Sequence, residues 1–391
     1  MPPAAPEAWL TLPANADELG PLRARYLRRT LRLLLELPGT RALLPNLLRA
    51  RSLVGTLVGG PQAGAVYAAL SLPQVGGPLH AVEVTHDAEA ALLVVWPNLL
   101  AELARRRAIG REGLFWDAPI HELLVPAAGV RRHFAPVLSG AWFRDGEVDL
   151  GPVGRLDLAT RADSDFVPLA AGGWLALADN NPLAMNEAHP DKDGNRLSLG
   201  GRDVGAWLDA LNGARALIQD ALPDLAREHQ ALLATVVPVG YHPERSLSAS
   251  FQEVIGLCYV SLHPDRYTLA EALIHETQHN KLNLLARVDP VLEAGADTLV
   301  SSPVRPDLRP LWGVLLAVHA FLPVAEMYHV LLTRAAGLSA VQQARYRAVL
   351  ALNHEGMETL RAAEYRASAA GQRLLTEMDR LERLQAARAC G

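Results

Sequence analysis

The motif His275-Glu276-Thr277-Gln278-His279 constrains this chain more than any other stretch of its sequence. Residues four apart lie on the same face of a helix, so the imidazoles of His275 and His279 would lie one turn apart. The residues that flank the motif are mostly apolar, which indicates a buried helix. Because a buried polar group needs a partner, two imidazoles that face the same way are well satisfied by one shared metal ion. The sequence therefore predicts a metal site held by His275 and His279.

The residues around the motif favour a helix that follows a buried strand. Residues 269–288 have helical spacing, with Thr268 as the predicted N-cap and Glu271 as its partner in a capping box. Residues 255–262 form an apolar run typical of a strand. A strand followed by such a helix is the context of the motif in zincin metallopeptidases, and it makes a chance occurrence a weaker explanation.

A third protein ligand is expected from another helix. Metal sites of this kind normally have three protein ligands and keep open positions, but no histidine follows at the spacing of the extended zincin motif. Residues 311–335 are predicted to form an apolar helix that offers His319 among apolar neighbours. Glu326 lies seven residues further on, close to the same helix face, and would complete a set of two histidines and one carboxylate. The sequence favours His319 and leaves Glu326 open.

The whole chain predicts an α+β fold that is mainly helical, with a short antiparallel sheet beside the motif helix. Single hydrophobic cores rarely grow beyond about 250–300 residues, and this chain has 391. We therefore expect two parts. Residues 1–160 would form an N-terminal helical and β-rich region of unknown role, and residues 161–391 a metal-binding catalytic domain with a helical C-terminal tail.

Periodicity and turn residues locate the main elements within these two parts. Residues 17–58 predict two helices, and residues 114–157 predict several short strands. Asp145-Gly146 has the composition of a tight hairpin turn. Residues 338–387 predict a long helical tail that consists of two helices or a helical hairpin.

Charge and composition exclude several classes of function. The net charge of −5 argues against a nucleic-acid partner, which usually requires a basic surface. The two cysteines, Cys258 and Cys390, form no CxxC pair, so neither a thiolate zinc site nor a disulfide framework is expected. The N-terminal residues lack the pattern of a signal peptide, and no apolar run is long enough to span a bilayer. We therefore expect a cytoplasmic protein without a membrane partner.

Several segments around the motif, together spanning roughly residues 170–335, resemble one known family. They comprise Asn181-Pro182, His189-Pro190-Asp191-Lys192 with Gly194-Asn195, Ser248-Ala249-Ser250-Phe251, the motif with its extension Asn280-Lys281-Leu282, Arg305-Pro306-Asp307, Arg309-Pro310-Leu311, and Val318-His319-Ala320-Phe321. On these residues the chain resembles the HExxH-containing peptide-modification proteins of bacterial ribosomal-peptide gene clusters. Members of that family act as iron(II)- and 2-oxoglutarate-dependent peptide β-hydroxylases.

The resemblance implies a dioxygenase that uses Fe(II) and the cosubstrate 2-oxoglutarate to hydroxylate a ribosomally synthesised precursor peptide. The distal carboxylate of 2-oxoglutarate needs a cationic anchor, and the guanidinium group binds a carboxylate through two parallel hydrogen bonds. Arg305 and Arg309 lie on the predicted loop between the motif helix and the His319 helix, and they are the candidate anchors. Lys281 is an alternative, although its position two residues after His279 points it around the helix.

Glu276 is the predicted catalytic residue on which the main alternative depends. In a zinc-dependent metallopeptidase, this carboxylate would be the general base that activates a metal-bound water. In an oxygenase it would instead orient a metal ligand or bind the peptide. A third hypothesis, a peptide-binding scaffold with a decayed site, is disfavoured because the motif is intact.

Overall fold

The computed structural model describes residues 11–13, 19–161, 165–186, 188–189, 192–303, 305–334 and 337–390, without the side chains of residues 188, 189, 192, 193, 305, 306 and 390. The helices of this described part are α1 (Leu19–Glu36), α2 (Leu44–Val58), α3 (Ala63–Leu70), α4 (Pro73–Thr85), α5 (Ala88–Arg105), α6 (Val204–Ala221), α7 (Pro223–Leu232), α8 (Arg266–Ala286), α9 (Leu311–Leu332), α10 (Ala340–Ala362) and α11 (Ala369–Cys390).

The strands are short. They are β1 (Leu114–Trp116), β2 (Ile120–Val125), β3 (Val130–Leu138), β4 (Ala141–Arg144), β5 (Glu147–Asp149), β6 (Arg155–Asp157), β7 (Phe166–Pro168), β8 (Trp174–Ala176), β9 (Ala188–His189), β10 (Lys192–Asp193), β11 (Thr235–Tyr241), β12 (Ser248–Ala249), β13 (Leu257–Leu262), β14 (Leu292–Ala294), β15 (Leu299–Ser302), β16 (Arg305–Pro310) and β17 (Arg366–Ala367).

The predicted α+β class is confirmed, because the chain is 54% helical and 18% strand, with several small antiparallel sheets. The sheet that leads into the motif helix is a mixed one, with the strand order β12-β13-β11-β8-β7. Its three central strands run parallel, and only its two edge strands pair in the antiparallel sense. The antiparallel pairing expected beside this helix is therefore confined to the two edges of a mixed sheet. The reason is that helices α6 and α7 cross from β8 to β11 and bring β11 back parallel to it.

Most of the other predicted elements are present. The two N-terminal helices are α1 and α2, and the C-terminal tail consists of α10 and α11. The β-rich region forms the antiparallel sheet β1-β4-β5-β6 and the hairpin β2-β3. Arg144 pairs with Glu147 in the β4-β5 hairpin, so Asp145-Gly146 forms a two-residue turn as predicted, with Gly146 at a φ of 78°.

The segment before α9 differs from its prediction. Residues 299–310 were expected to form a loop, but residues 299–302 and 305–310 form the hairpin β15-β16, with Val300 opposite Arg309. Three prolines in this segment, Pro303, Pro306 and Pro310, conceal the strand pattern, since proline is depleted from strands and occurs at their edges. The hairpin enters α9 directly at Leu311.

The hydrophobic core shows how the two predicted parts meet. One cluster of buried side chains contains residues between Leu31 and Leu158, all from the N-terminal part. A second cluster joins Leu19, Leu22 and Tyr26 of α1 to apolar residues of α8, α9, α10 and α11. The first helix therefore packs against the motif helix, and the division of the chain at residue 160 stays a prediction.

Helix α9 is long and apolar enough, by length and composition, to cross a membrane. Its apolar residues are interrupted by His319, Glu326 and His329. However, 72% of its most apolar window is buried inside the protein. Helices α2 and α3 pass the same test only as a pair, and they are bent by 118° at their junction. The burial of α9 is that of a helix in the core of the fold.

The interface between α1 and α4 contains a buried histidine, His80, which is 0% exposed. Its ring stacks on Tyr26 at 5.0 Å. The Thr30 hydroxyl donates to the Tyr26 carbonyl, so it accepts a hydrogen bond from His80 Nε2 at 2.9 Å. Burial lowers the pKa of His80 to about 3, and the positive charges of Arg287 and Arg29 act in the same direction.

We predict that His80 makes the free energy of unfolding depend on pH. An unfolded histidine has a pKa of about 6.5, so below that pH the unfolded chain binds a proton at His80 that the folded protein does not bind. Stability should therefore fall by about 1.4 kcal/mol per pH unit from this residue as the pH drops from about 6.5. Urea unfolding between about pH 5 and 7 should show this contribution lost in His80→Gln. His121→Gln, at an exposed position on β2, is the control and should keep it; equal slopes in the two variants would contradict this account.

Candidate metal centre

The motif helix α8 starts directly after the central strand β13. All six residues of β13 are buried, and the chain turns through His263 into α8. The N-cap of α8 is Asp265, whose carboxylate accepts hydrogen bonds from the Tyr267 amide at 3.1 Å and the Thr268 hydroxyl at 3.2 Å. The predicted capping box of Thr268 and Glu271 is therefore wrong. The helix begins earlier than its apolar spacing indicates, because Asp265 is already a good N-cap.

Asn280, one residue after the motif, fixes the helix to the start of β13. Its Oδ1 accepts a hydrogen bond from the Gly256 amide at 2.7 Å. Its Nδ2 donates to the Leu257 carbonyl at 3.2 Å and to the Glu276 carbonyl at 2.9 Å. Because one side chain joins strand, helix and motif, the position of His279 relative to the sheet is determined by hydrogen bonds as well as by packing.

The two motif histidines lie side by side, as their spacing predicts. The ring centroids of His275 and His279 are 4.2 Å apart, with a 48° angle between the ring planes. The ring of Phe321, from α9, lies 4.8 Å from that of His275. An apolar ring on one side of the pair limits how His275 can rotate and lowers the local polarity.

Glu276 joins the two histidines in one group of donor atoms. A ligand atom from each of His275, Glu276 and His279 lies within 4.8 Å of the others, and this is the one such set among the residues that the structure describes. Glu276 is 1% exposed, and its Oε2 lies 3.9 Å from His279 Nδ1.

The donor atoms of this group are short of partners. Nδ1 of His275, Oε2 of Glu276 and Nε2 of His279 are buried and find no hydrogen-bond partner within the described part of the chain. Leaving buried polar atoms unsatisfied is costly. Imidazole and carboxylate together suit Fe(II) and Zn(II), so these residues fit a bound transition-metal ion.

The protonation state of the pair agrees with this assignment. Burial lowers the pKa of His275 well below its usual value, and the nearby His279 and Arg345 act in the same direction. Burial also lowers the pKa of His279, although the Glu276 carboxylate opposes the shift. Both imidazoles are therefore neutral near pH 7, which is the form that binds a metal.

The two candidates for a third ligand, His319 and Glu326, lie on α9 and are not in the donor group of His275, Glu276 and His279. Glu326 pairs with Arg388 of α11 at 3.0 Å. His319 is 0% exposed and lies seven residues before Glu326, hence on the same side of α9. Phe321, which contacts His275, points to a different side, since residues two apart on a helix are about 200° apart. His319 is not part of the donor group on α8, so its role as the third ligand stays a prediction.

A cavity of about 380 Å³ opens beside His275. Its walls come from the loop after β11, the start and middle of α8, α9 and α10. They include Glu244, Arg245, Ser246, Ser248, His263, Thr268, Glu271, Ala272, Phe321 and Arg345. Since the imidazole of His275 lies in this wall, a molecule in the cavity can approach the donor group.

Glu271 and Arg345 form an ion pair at the wall of this cavity. The Arg345 Nη2 lies 2.7 Å from Glu271 Oε2, and its Nε donates to the same carboxylate at 3.0 Å. The Tyr328 hydroxyl donates to Glu271 Oε1 at 2.5 Å. The carboxylate is thus fully engaged, while the Arg345 side chain is still 41% exposed toward the cavity and solvent.

Arg309, one of the two predicted anchors, is not among the residues that line this cavity. Arg309, on β16, pairs with Asp307 at 3.5 Å. It precedes the first residue of α9, whereas Phe321 lies ten residues into that helix, about 15 Å along its axis. The side chain of Arg305 lies outside the described residues. Among the described residues, the arginines that line the cavity are Arg245 and Arg345. Sequence reasoning missed both of them because neither lies in a recognisable motif.

Comparison of the chain with protein-family models and with curated proteins found no match.

We predict that His275→Ala and His279→Ala each abolish binding of Fe(II) and Zn(II) while leaving the fold intact. The reason is that each change removes one of two neutral imidazoles, whereas α8 stays fixed by Asn280 and by its apolar neighbours. Metal titration and thermal melting measure the two effects. His354→Ala is the matched control and should retain the metal, because His354 lies on α10, where its imidazole contacts Glu382 at 2.9 Å. Full metal occupancy in either motif variant would rule out this site.

Proposed function

We propose that this chain is a non-haem iron dioxygenase that hydroxylates a ribosomally synthesised peptide, with 2-oxoglutarate as cosubstrate. The observation that carries the proposal is the group of His275, Glu276 and His279, whose buried donor atoms lack hydrogen-bond partners in the described structure. The group combines two imidazoles with one carboxylate, which is the donor combination of non-haem iron oxygenases. The peptide substrate is inferred from the resemblance of residues 170–335 to HExxH-containing peptide-modification proteins.

His275 and His279 would hold the ion, with Glu276 or His319 as the third protein donor. Three protein donors on a six-coordinate ion leave three positions for the cosubstrate and oxygen. When bound, iron(II) and 2-oxoglutarate supply the oxidation, in which O2 gives one atom to a peptide carbon and one to succinate, and carbon dioxide leaves. The protein orients the reactants and excludes water, for which the buried surroundings of the histidine pair are suited.

The cavity beside His275 offers a place for the cosubstrate. Its volume of about 380 Å³ lies at the lower end of the usual range for small-molecule sites, about 300–1,000 Å³. Arg345 and Arg245 supply positive charge at its wall. Because Glu271 is already engaged by Arg345 and Tyr328, it opposes an incoming carboxylate less than a free carboxylate would. We therefore assign the cosubstrate anchor to one of these two arginines.

A zinc-dependent metallopeptidase is the second candidate, and one observation favours it. Glu276 lies directly beside the histidine pair, and its Oε2 is buried without a hydrogen-bond partner in the described part of the chain. A carboxylate in that position can accept a proton from a metal-bound water, as the general base of a peptidase must. The two functions share the metal site and differ in the metal and in the task of Glu276.

We expect the protein, with iron(II), oxygen and 2-oxoglutarate, to form succinate and to add one oxygen atom to a cognate precursor peptide. Zinc should support no such turnover, because it has no redox chemistry. Mass spectrometry of the peptide and a succinate assay measure the reaction. Peptide cleavage by the zinc form, together with no succinate from the iron form, would replace this proposal by the peptidase.

Glu276→Gln should separate the two functions at saturating metal. A peptidase that loses its general base should lose about 10²–10⁴-fold in rate. An oxygenase whose third donor is His319 should still consume 2-oxoglutarate, with at most partial loss, because its chemistry needs no base at this position. Metal content is measured in parallel, so that weaker binding by the glutamine variant is not taken for a loss of chemistry.

Replacement of the cavity arginines should raise the concentration of 2-oxoglutarate that the reaction requires. Loss of a charge-assisted hydrogen-bonded pair typically costs about 1.5–3 kcal/mol, or roughly 10–100-fold in affinity. We expect this in Arg245→Gln or Arg345→Gln, measured as the KM for 2-oxoglutarate. Arg309→Gln serves as the comparison and should change it little. If the KM for 2-oxoglutarate rises only in Arg305→Gln or Arg309→Gln, the anchor lies on the β15-β16 hairpin instead.

A further inference from the structure

A second cavity, of about 240 Å³, lies between α6, α7 and the loop before β8. It contains none of the residues assigned to the metal centre. Arg215 of α6 lines it, although this arginine is only 4% exposed. Its Nη1 donates to the Gly172 carbonyl at 2.7 Å, whereas its Nε and Nη2 are buried and have no hydrogen-bond partner among the described residues.

The unused edge of Arg215 is the edge that binds carboxylates elsewhere in this protein. Arg105 donates from Nε and Nη2 to the two carboxylate oxygens of Glu102, at 2.9 and 2.7 Å. Arg345 uses the same two nitrogens on Glu271. This edge presents two parallel N–H groups that match two oxygens in one plane. Arg215 therefore offers a geometric match for a carboxylate that the described part of the chain does not supply.

The positive charge of Arg215 also favours a bound anion. Burial lowers its pKa to about 10, so the guanidinium stays positively charged at neutral pH. A buried charge without a counter-charge is strongly unfavourable. An anion in the cavity would remove that cost.

His229 of α7 supplies a second polar group with a defined direction. The Thr277 hydroxyl donates to the Leu273 carbonyl at 2.6 Å, so it must accept the hydrogen bond that joins it to His229 Nδ1 at 2.7 Å. His229 is 3% exposed, and burial lowers its pKa well below the usual value, which keeps the ring neutral. A neutral ring with its proton on Nδ1 has an acceptor at Nε2, and this atom is buried without a partner in the described structure.

The two groups together specify the chemistry of a ligand. Arg215 calls for two coplanar oxygens with negative charge, and His229 Nε2 calls for a hydrogen-bond donor. The rest of the wall includes the apolar side chains of Ala171, Ile218 and Ala226, which suit a short alkyl body, and the polar side chains of Asn212, Gln219 and Gln230. A cavity of this size has room for only a small molecule.

We propose that this cavity binds a small hydroxycarboxylate, whose carboxylate pairs with Nε and Nη2 of Arg215 and whose hydroxyl donates to Nε2 of His229. The site lies on the side of α8 that carries Thr277, between Glu276 and Gln278 of the motif. It is independent of the metal, because neither Arg215 nor His229 belongs to the donor group.

Calorimetric titration of the full-length protein with lactate, propionate and phosphate tests the proposal. Lactate has both groups, propionate lacks the hydroxyl, and phosphate is an anion of different shape. We expect lactate to bind most tightly and propionate about tenfold more weakly, because one hydrogen bond is lost. No binding of lactate, or tighter binding of phosphate than of either carboxylate, would overturn the proposal.

Variants locate the binding. Arg215→Lys keeps the charge but loses the paired N–H groups, and it should weaken lactate binding by at least about tenfold. Arg227→Gln, which removes a half-exposed arginine from α7, is the control and should bind lactate normally. The double variant His275→Ala/His279→Ala should also bind lactate normally, and loss of binding there would move the site to the metal centre. Unchanged binding in Arg215→Lys, in a variant shown by thermal melting to be folded, would exclude this cavity.

His229→Phe tests the contact with the hydroxyl. Without Nε2, lactate and propionate should bind with equal affinity. If His229→Phe still binds lactate more tightly than propionate, another group accepts the hydrogen bond from the lactate hydroxyl. If the variant does not fold, the ligand series on the unchanged protein still decides between a hydroxycarboxylate site and none.

Discussion

The cost of burying polar side chains on one helix shapes most of this structure. Helix α8 buries fifteen of its 21 residues. They include the polar residues Glu276, Thr277, Gln278 and Asn280, each 1% exposed or less. Polar groups removed from water must find partners inside the protein. The elements that surround α8 supply partners to several of these groups. Among the described residues, the donor atoms of the histidine pair and both polar atoms of the Gln278 side chain have no hydrogen-bond partner.

Three contacts show how the neighbours meet this need. Asn280 binds the backbone at the start of β13. Lys281 forms a buried ion pair with Glu228 of α7 at 2.7 Å. Glu271 receives Arg345 from α10 and Tyr328 from α9. Each contact joins α8 to a different element, so the helix is held from several directions and the motif side chains keep their places.

The two cavities beside α8 share one feature. In each, buried groups with strong directional preferences lack partners in the described protein: the donor atoms of the histidine pair in one, and Arg215 with His229 in the other. The first set combines neutral imidazoles and a carboxylate, which suits a cation. The second combines a guanidinium edge and an imidazole acceptor, which suits an anion that carries a hydroxyl. Thr277, bonded to His229, places the second set directly behind the motif.

The sequence by itself determined the local features: the pairing of His275 with His279 on one helix face, the Asp145-Gly146 turn, the helical tail, and the mainly helical α+β class. Each follows from residue spacing and backbone preference over a few neighbours. Only the tertiary structure decided which distant side chains meet. It brought Phe321 against His275, and it placed Arg345 and Arg245 at the cavity. It also took Glu271 from its predicted capping role and paired residues 299–302 with residues 305–310 in a hairpin. Such contacts depend on how α8, α9 and α10 pack, and packing between elements far apart in the chain leaves no periodic signal in the sequence.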